Sequence, residues 1–188
     1  MSTRKSWGWS NAVDGASNVS VRGLLDGTVD FDPSVGGFNL TSAGSNDVVV
    51  AKYTANNELI VAHGFGSTGL DRSQSLALDD LGNVYITGAF AGTVDFEPGS
   101  GTTNLTATAR RDVFVLKLNA GGDFVWAVGS EGDDTNNDNE GWGLTLDDAG
   151  NVYVAGSFVG TVDFDPGAGT TSFTTPDSLT DGFVLKLD

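Results

Sequence analysis

The chain has 188 residues, 39% of them hydrophobic, with 27 glycines and only 18% charged residues. That profile belongs to short strands joined by tight turns, with apolar content for one domain-sized core. Nine lysines and arginines stand against 25 aspartates and glutamates, a net charge of −16, so the basic stripe of a nucleic-acid surface is missing and an anionic membrane would repel the chain. With no cysteine, disulfides and thiolate metal sites are excluded, and no stretch approaches the roughly 18 apolar residues of a spanning helix.

The heptapeptide Gly-Thr-Val-Asp-Phe-Asp-Pro occurs at Gly27 to Pro33, at Gly92 to Pro98 with Glu97 as its one change, and at Gly160 to Pro166. Self-similarity at a near-fixed period means units that bury their apolar faces only against neighbours. Aligned on the heptapeptide, the chain divides into an N-terminal segment 1–8 and units over 9–73, 74–141 and 142–188.

In the first unit, Gly15-Ala-Ser-Asn18 replaces the turn of the other two, so its turn chemistry is expected to be displaced. Val19 to Leu25 reads as a second strand, Asp47 to Tyr53 as a third, and Leu59 onward as a fourth beyond an Asn56-Asn57 turn. In the second unit, Gln74-Ser-Leu-Ala-Leu-Asp79 alternates with period two, the pattern of a half-buried strand. Asp80-Leu-Gly-Asn83 offers a glycine for a hairpin turn. Val84 to Phe90, Asp112 to Leu118 and the segment from Phe124 follow as further strands. The third unit repeats this with Trp142 to Asp147, Asp148-Ala-Gly-Asn151, Val152 to Phe158 and Asp181 to Leu187, and stops before a fourth strand. Around each heptapeptide lies a surplus rich in Gly, Thr and Ser. No helical periodicity persists over three turns.

Four short antiparallel strands with tight turns make one propeller blade. The order Asp-x-x-Gly-Asn-Val-Tyr-Val-x-Gly, then Asp-x-Phe-Val-x-Lys-Leu, then Gly-x-Phe-Val-Trp-Ala resembles the bacterial SBBP-type β-propeller repeat, in its subgroup carrying Gly-Thr-Val-Asp-Phe-Asp-Pro-Gly. The resemblance runs from Trp9 onward and is weakest in the first unit. It implies an all-β, propeller-like fold of three four-stranded antiparallel blades, the third lacking its last strand. It also implies an extracellular or cell-surface setting, although the basic N-terminus is followed by no apolar run of a secretory signal.

Propellers have typically 4–8 blades, so three are expected to close a ring by self-association, a dimer with six blades being the simplest. Lys5 to Gly8 resembles the end of a fourth strand, so residues 1–8 could complete a neighbour's last blade. In Thr-Val-Asp-Phe-Asp, side chains alternate faces, placing valine and phenylalanine together and both acids opposite them. The pairs Asp30/Asp32, Asp95/Glu97 and Asp163/Asp165 could thus bracket a calcium ion, or simply cap strand ends. Calcium takes 6–8 oxygens, more than two carboxylates supply. The loop from Asp133 to Glu140 occurs once, and Asp134, Asn136, Asp138 and Glu140 alternate in it like a calcium loop. It lacks the glycine and distal glutamate of an EF-hand.

His63 is the only histidine, which leaves no triad to argue and no typical zinc site. Trp126 and Trp142 are expected in the core, and the Trp7/Trp9 pair as an exposed aromatic contact. The function expected is non-catalytic: a structural or binding module with a protein or glycan partner. Alternatives are a glycan-binding or glycan-cleaving propeller that uses the acidic loop, and a virion or other particle component.

Overall fold

A computed structural model describes residues 6–176 and 179–188, with the side chains of residues 6 and 7 outside that description. The protein is all-β, built of small antiparallel sheets. In the first unit β1 (Ser6–Val13), β2 (Val19–Leu25), β5 (Asp47–Tyr53) and β6 (Leu59–Phe65) form a four-stranded sheet in that order. The strands β3 (Thr28–Asp30) and β4 (Asn39–Thr41) make a separate two-stranded ribbon. The second unit repeats this with β7 (Arg72–Leu78), β8 (Val84–Phe90), β11 (Asp112–Leu118) and β12 (Phe124–Gly129), and a ribbon of β9 (Thr93–Asp95) and β10 (Asn104–Thr106). In the third, β14 (Glu140–Leu146), β15 (Val152–Phe158) and β18 (Asp181–Leu187) form a three-stranded sheet. Its ribbon of β16 (Thr161–Asp163) and β17 (Ser172–Thr174) gains β13 (Glu131–Gly132) as a third strand. The heptapeptide surplus is therefore a ribbon whose second strand, Asn-Leu-Thr or Ser-Phe-Thr, lies in the Gly/Thr/Ser-rich stretch.

The first strands begin earlier than the repeat suggests. β7 starts at Arg72 and β14 at Glu140, because Gln74 and Trp142 are not strand starts but extra residues of a bulge, between Ser73 and Ser75 and between Gly141 and Gly143. Trp9 holds the same place between Gly8 and Ser10 in β1. The division at residue 9 thus falls inside a strand: Ser6, Trp7 and Gly8 pair with Leu25, Leu24 and Gly23 of their own sheet. The rest of the segment proposed to complete a neighbour, residues 1–5, lies outside the described residues. A bulge bends its strand toward the facing backbone, and glycines occupy the facing positions. A Cβ on Gly88 would collide with the Arg72 carbonyl, and one on Gly156 with the Glu140 carbonyl.

The first hairpin turn is not displaced. Asp14 Oδ1 accepts from the N–H groups of Ala16 and Asn18, both at 2.9 Å. Asp79 accepts from Leu81 and Asn83, and Asp147 from Ala149 and Asn151, in the same way. The turn needs a positive φ at its third residue, supplied by Gly82 at 79° and Gly150 at 84°. In the first unit Ser17 adopts it at 64°, a conformation that costs a residue with a Cβ about 1–2 kcal/mol. The carboxylate cap defines this turn, so it survives loss of the glycine.

The sheets of successive units pack face to face, β1 and β2 against β7, and β7 and β8 against β14. Phe114, Leu116, Leu118 and Ile86 of the second unit meet Val48, Val50 and Phe65 of the first. The ribbon of the second unit adds its heptapeptide phenylalanine, Phe96, to this layer, whereas Phe164 of the third packs with Phe158 and Val162 of its own unit. Phe96 lies 6.0 Å from Phe65 and 5.0 Å from Phe114, ring centre to ring centre, and full burial of such a side chain contributes about 2–3 kcal/mol. Phe96 thereby joins its own sheet to the preceding unit.

Candidate functional site

The heptapeptide acids are placed by the ribbon turn. Asp30, Asp95 and Asp163 each use Oδ1 to accept two backbone N–H groups, those two and eight residues ahead. For Asp163 the donors are Asp165 at 3.0 Å and Thr171 at 2.8 Å, and these bonds hold its carboxyl below the usual range. The second acids tie the loop further: Asp32 accepts from Ser34 N–H, Asp165 from Gly167 N–H, and Glu97 from the Thr103 hydroxyl. Each pair closes the loop joining its two ribbon strands.

In the 133–140 loop the acids separate into different roles. Asp133 accepts from Thr161 N–H at the start of β16. Asp134 accepts from Asn136 N–H and the Asn137 side chain, which hold its carboxyl low. Asp138 and Glu140 both reach the buried Arg111, whose Nη2 lies 2.6 Å from Asp138 Oδ2 and 3.1 Å from Glu140 Oε1. Arg111 and Asp138 also form a backbone bridge. Of the four alternating residues, only Asp138 and Glu140 share a partner, and it is a cation of the protein. Among the described residues no three or more His, Asp or Glu side chains group as a potential metal site.

Three other carboxylates, Asp112, Asp47 and Asp71, are buried where units meet. Asp112, fully buried at the head of β11, accepts five hydrogen bonds. The Thr108 N–H, Thr108 hydroxyl and Ala109 N–H reach Oδ2, and the Gly132 N–H and Asn139 Nδ2 reach Oδ1. One unit earlier the corresponding residues are Asp47 and Asp71. Asp71 accepts from Ser67 N–H, the Ser67 hydroxyl and Ala91 N–H. Asp47 Oδ2 accepts from Ala43 N–H, while its buried Oδ1 has no partner. Burial, and then the nearby Asp71 charge, push the Asp47 carboxyl up to about 6. Burial also raises Asp71, against its hydrogen bonds and the Arg111 charge.

His63 lies within β6, its Nε2 3.1 Å from the Gly122 carbonyl in the next unit, and burial lowers its pKa although that bond and Asp123 oppose the shift. Beside it the buried Lys52 spans the same junction, 3.0 Å from Asp14 and 2.9 Å from the Ala120 carbonyl. Burial works against ionisation of Asp14, yet hydrogen bonds from Asn18 and Lys52 hold it well below the carboxylate range. Trp126 packs edge-on to Tyr85 at 6.3 Å. Trp142 is not in the core: it is 52% exposed, with Nε1 donating to the Ser157 hydroxyl. As the bulge residue it has no cross-strand partner, and Trp9, its counterpart, is 48% exposed. The Trp7 side chain lies outside the described residues.

A cleft of about 790 Å³ lies beside β18 and is lined by Phe158, Phe164, Phe173, Phe183, Leu185 and Leu187 among others. Its lining sets these aromatic rings beside the polar Asp165, Thr171, Asp181 and Lys186. Among the described residues no helix is long and apolar enough to cross a membrane. No protein-family model matches the chain, and no curated protein matches it either.

Proposed function

We propose that the chain is a non-catalytic structural or binding module whose three units are β-propeller blades of the SBBP-like type, set at a cell surface or in another extracellular assembly. The observation that carries this reading is the use made of the repeated acids. Asp14, Asp79 and Asp147 cap one turn, and Asp30, Asp95 and Asp163 close another, with the same bonds in every unit. A polar residue that recurs because it holds a turn carries no substrate chemistry, which resides in positions that break a repeat. The positions that do break it, Asp138 and Glu140, are taken up by Arg111.

Three blades leave an outer sheet face at each end of the array. Val184, 77% exposed on β18, lies on the face that would meet a following unit. A second copy packed head to tail would cover it and bring the blades to six. Light scattering at micromolar concentration tests this: twice the chain mass is expected, and a monomer would rule out closure by a second copy. Hydrolysis of any member of a glycan panel that fell with Glu140→Gln would overturn the non-catalytic reading.

A further inference from the structure

Three asparagines open the triplet Asn-x-Ser/Thr, the acceptor pattern for N-linked sugar: Asn18-Val-Ser20, Asn39-Leu-Thr41 and Asn104-Leu-Thr106. The structure separates the first from the other two. Asn18 is committed to its turn, its Nδ2 donating to Asp14 Oδ2 at 3.0 Å, and Ser20 is wholly buried. Asn83 and Asn151 make the same bond to Asp79 and Asp147 in the later units, where Val and Tyr follow and no triplet forms. Asn18 therefore recurs for its turn alone.

Asn39 and Asn104 hold equivalent places in the two-stranded ribbons, opposite Asp30 and Asp95. Alternation along β4 and β10 turns asparagine and threonine to one face and the leucine between them to the other. Both asparagines and both threonines are exposed, while Leu105 packs against the core. The threonines also serve the ribbon: the hydroxyls of Thr41 and Thr28 hydrogen-bond at 2.8 Å, and those of Thr106 and Thr93 at 2.9 Å. Thr174 and Thr161 do the same in the third unit. The asparagine is not demanded in this way. Ser172 stands opposite Asp163 in the third unit, and the loop there closes through the same two N–H groups without a carboxamide. Among the described residues β4 pairs only with β3, and β10 only with β9, so each triplet stands on an open ribbon edge.

We propose that Asn39 and Asn104 are acceptor sites for N-linked glycan, taken from a sugar activated as a pyrophosphate ester. In the transfer the carboxamide Nδ2 bonds to the anomeric carbon of the donor as the bond from that carbon to the phosphate oxygen breaks. The pyrophosphate leaves with that electron pair, and the Nδ2 proton passes to a carboxylate of the transferase. Each ribbon thereby gains one bulky, solvated substituent. It sits on an edge whose free backbone groups would otherwise template another strand. Neither site bears on the scaffold reading, which rests on the repeated acids.

The folded full chain is incubated with a soluble N-glycosyltransferase and UDP-glucose, and in a second arm with an oligosaccharyltransferase and a lipid-pyrophosphate oligosaccharide. Peptide mass spectrometry should find sugar on Asn39 and Asn104, and none on Asn18, in at least one arm, and that arm identifies the donor. Asn39→Gln and Asn104→Gln should each lose one site and keep the other. Thr41→Ala should lose the sugar at Asn39 although the carboxamide stays, and Thr41→Ser should retain it. Continued modification of Asn104 in the Thr41→Ala chain shows that the variant is still a competent acceptor. No sugar in either arm, equal modification of Asn18, or Thr41→Ala modified at Asn39 like wild type would each overturn the proposal.

Discussion

Asn139 Nδ2 donates to Asp112 Oδ1 at 2.9 Å across the junction of the second and third units, and one junction earlier the same two positions are held by Asp71 and Asp47. A carboxylate meeting an amide is a satisfied pair. A carboxylate meeting a carboxylate in a buried place is not, since neither can donate unless protonated. The same architecture is thus well satisfied at one junction and strained at the other.

Opposite signs follow for one substitution at two equivalent positions. Asp47→Asn keeps the acceptor for Ala43 N–H and places a donor where Oδ1 has no partner. It should stabilise the protein at neutral pH by on the order of 1–2 kcal/mol. Asp112→Asn removes acceptor capacity from a group taking five bonds and should destabilise it by about 2–3 kcal/mol. Urea unfolding at pH 7 separates the two, and a loss of stability in Asp47→Asn would refute the account.

The same pair sets a pH dependence. The Asp47 carboxyl is raised to about 6 when folded, from an ordinary 3.8, so between these values the folded state binds more protons than the unfolded one. Stability from this group is fully present below the unfolded pKa and is lost as pH rises through the folded pKa. Wild-type stability should therefore decline from about pH 4 to about pH 6 relative to Asp47→Asn, with the two curves running parallel above that range. Denaturation midpoints at half-unit steps of pH measure the difference, and curves parallel throughout would show that Asp47 titrates normally.

The strands were legible where apolar alternation runs over seven residues, and β8 and β11 occupy the residues so read. The three-residue ribbon strands were not, because Asn39-Leu-Thr and Asn104-Leu-Thr are too short to display a period and gain strand geometry only by pairing with the heptapeptide. Bulges were hidden for a related reason: Trp142 keeps its place in the repeat whether it faces in or out. The candidate acids were found as residues, but their roles depended on where N–H groups point, and a local pattern does not carry that. Asp47 and Asp71 are the extreme case, distant in sequence and brought together only when two sheets stack.

Ser17 tests the reading of the first turn. It holds the positive φ that glycine holds in the other two units, so Ser17→Gly should raise stability by about 0.5–1 kcal/mol, the relief of strain being partly offset by the freer unfolded chain. Thermal melting would register it, and a fall in the melting temperature would show that Ser17 makes up its backbone cost elsewhere.

Among the described residues Arg111 is the one cation shared by two acids of the 133–140 loop, which occurs once in the chain. Removing one partner of a buried ion pair leaves the other charged without compensation, so Arg111→Met should cost about 3–5 kcal/mol. Adding Glu140→Gln to that variant should recover part of the loss, because Glu140, 6% exposed, is the more deeply buried of the two acids. A double variant no more stable than Arg111→Met would mean that Asp138 or packing dominates.

Calcium is the last test, and the ribbon geometry fixes its expected outcome. Asp163 Oδ1 already receives two N–H groups, and Asp165 Oδ1 receives a third, which leaves the pair's two Oδ2 atoms for a cation that takes 6–8 oxygens. Millimolar calcium and EDTA should therefore leave the melting temperature unchanged. Asp163→Asn, which retains an Oδ1 acceptor, should melt close to wild type, whereas Asp163→Ala should melt lower with or without calcium because both N–H groups lose their acceptor. A rise in melting temperature with calcium, reversed by EDTA and abolished by Asp163→Asn, would instead assign these carboxylates to a metal. Sodium at equal ionic strength separates that result from relief of the repulsion in a chain of net charge −16.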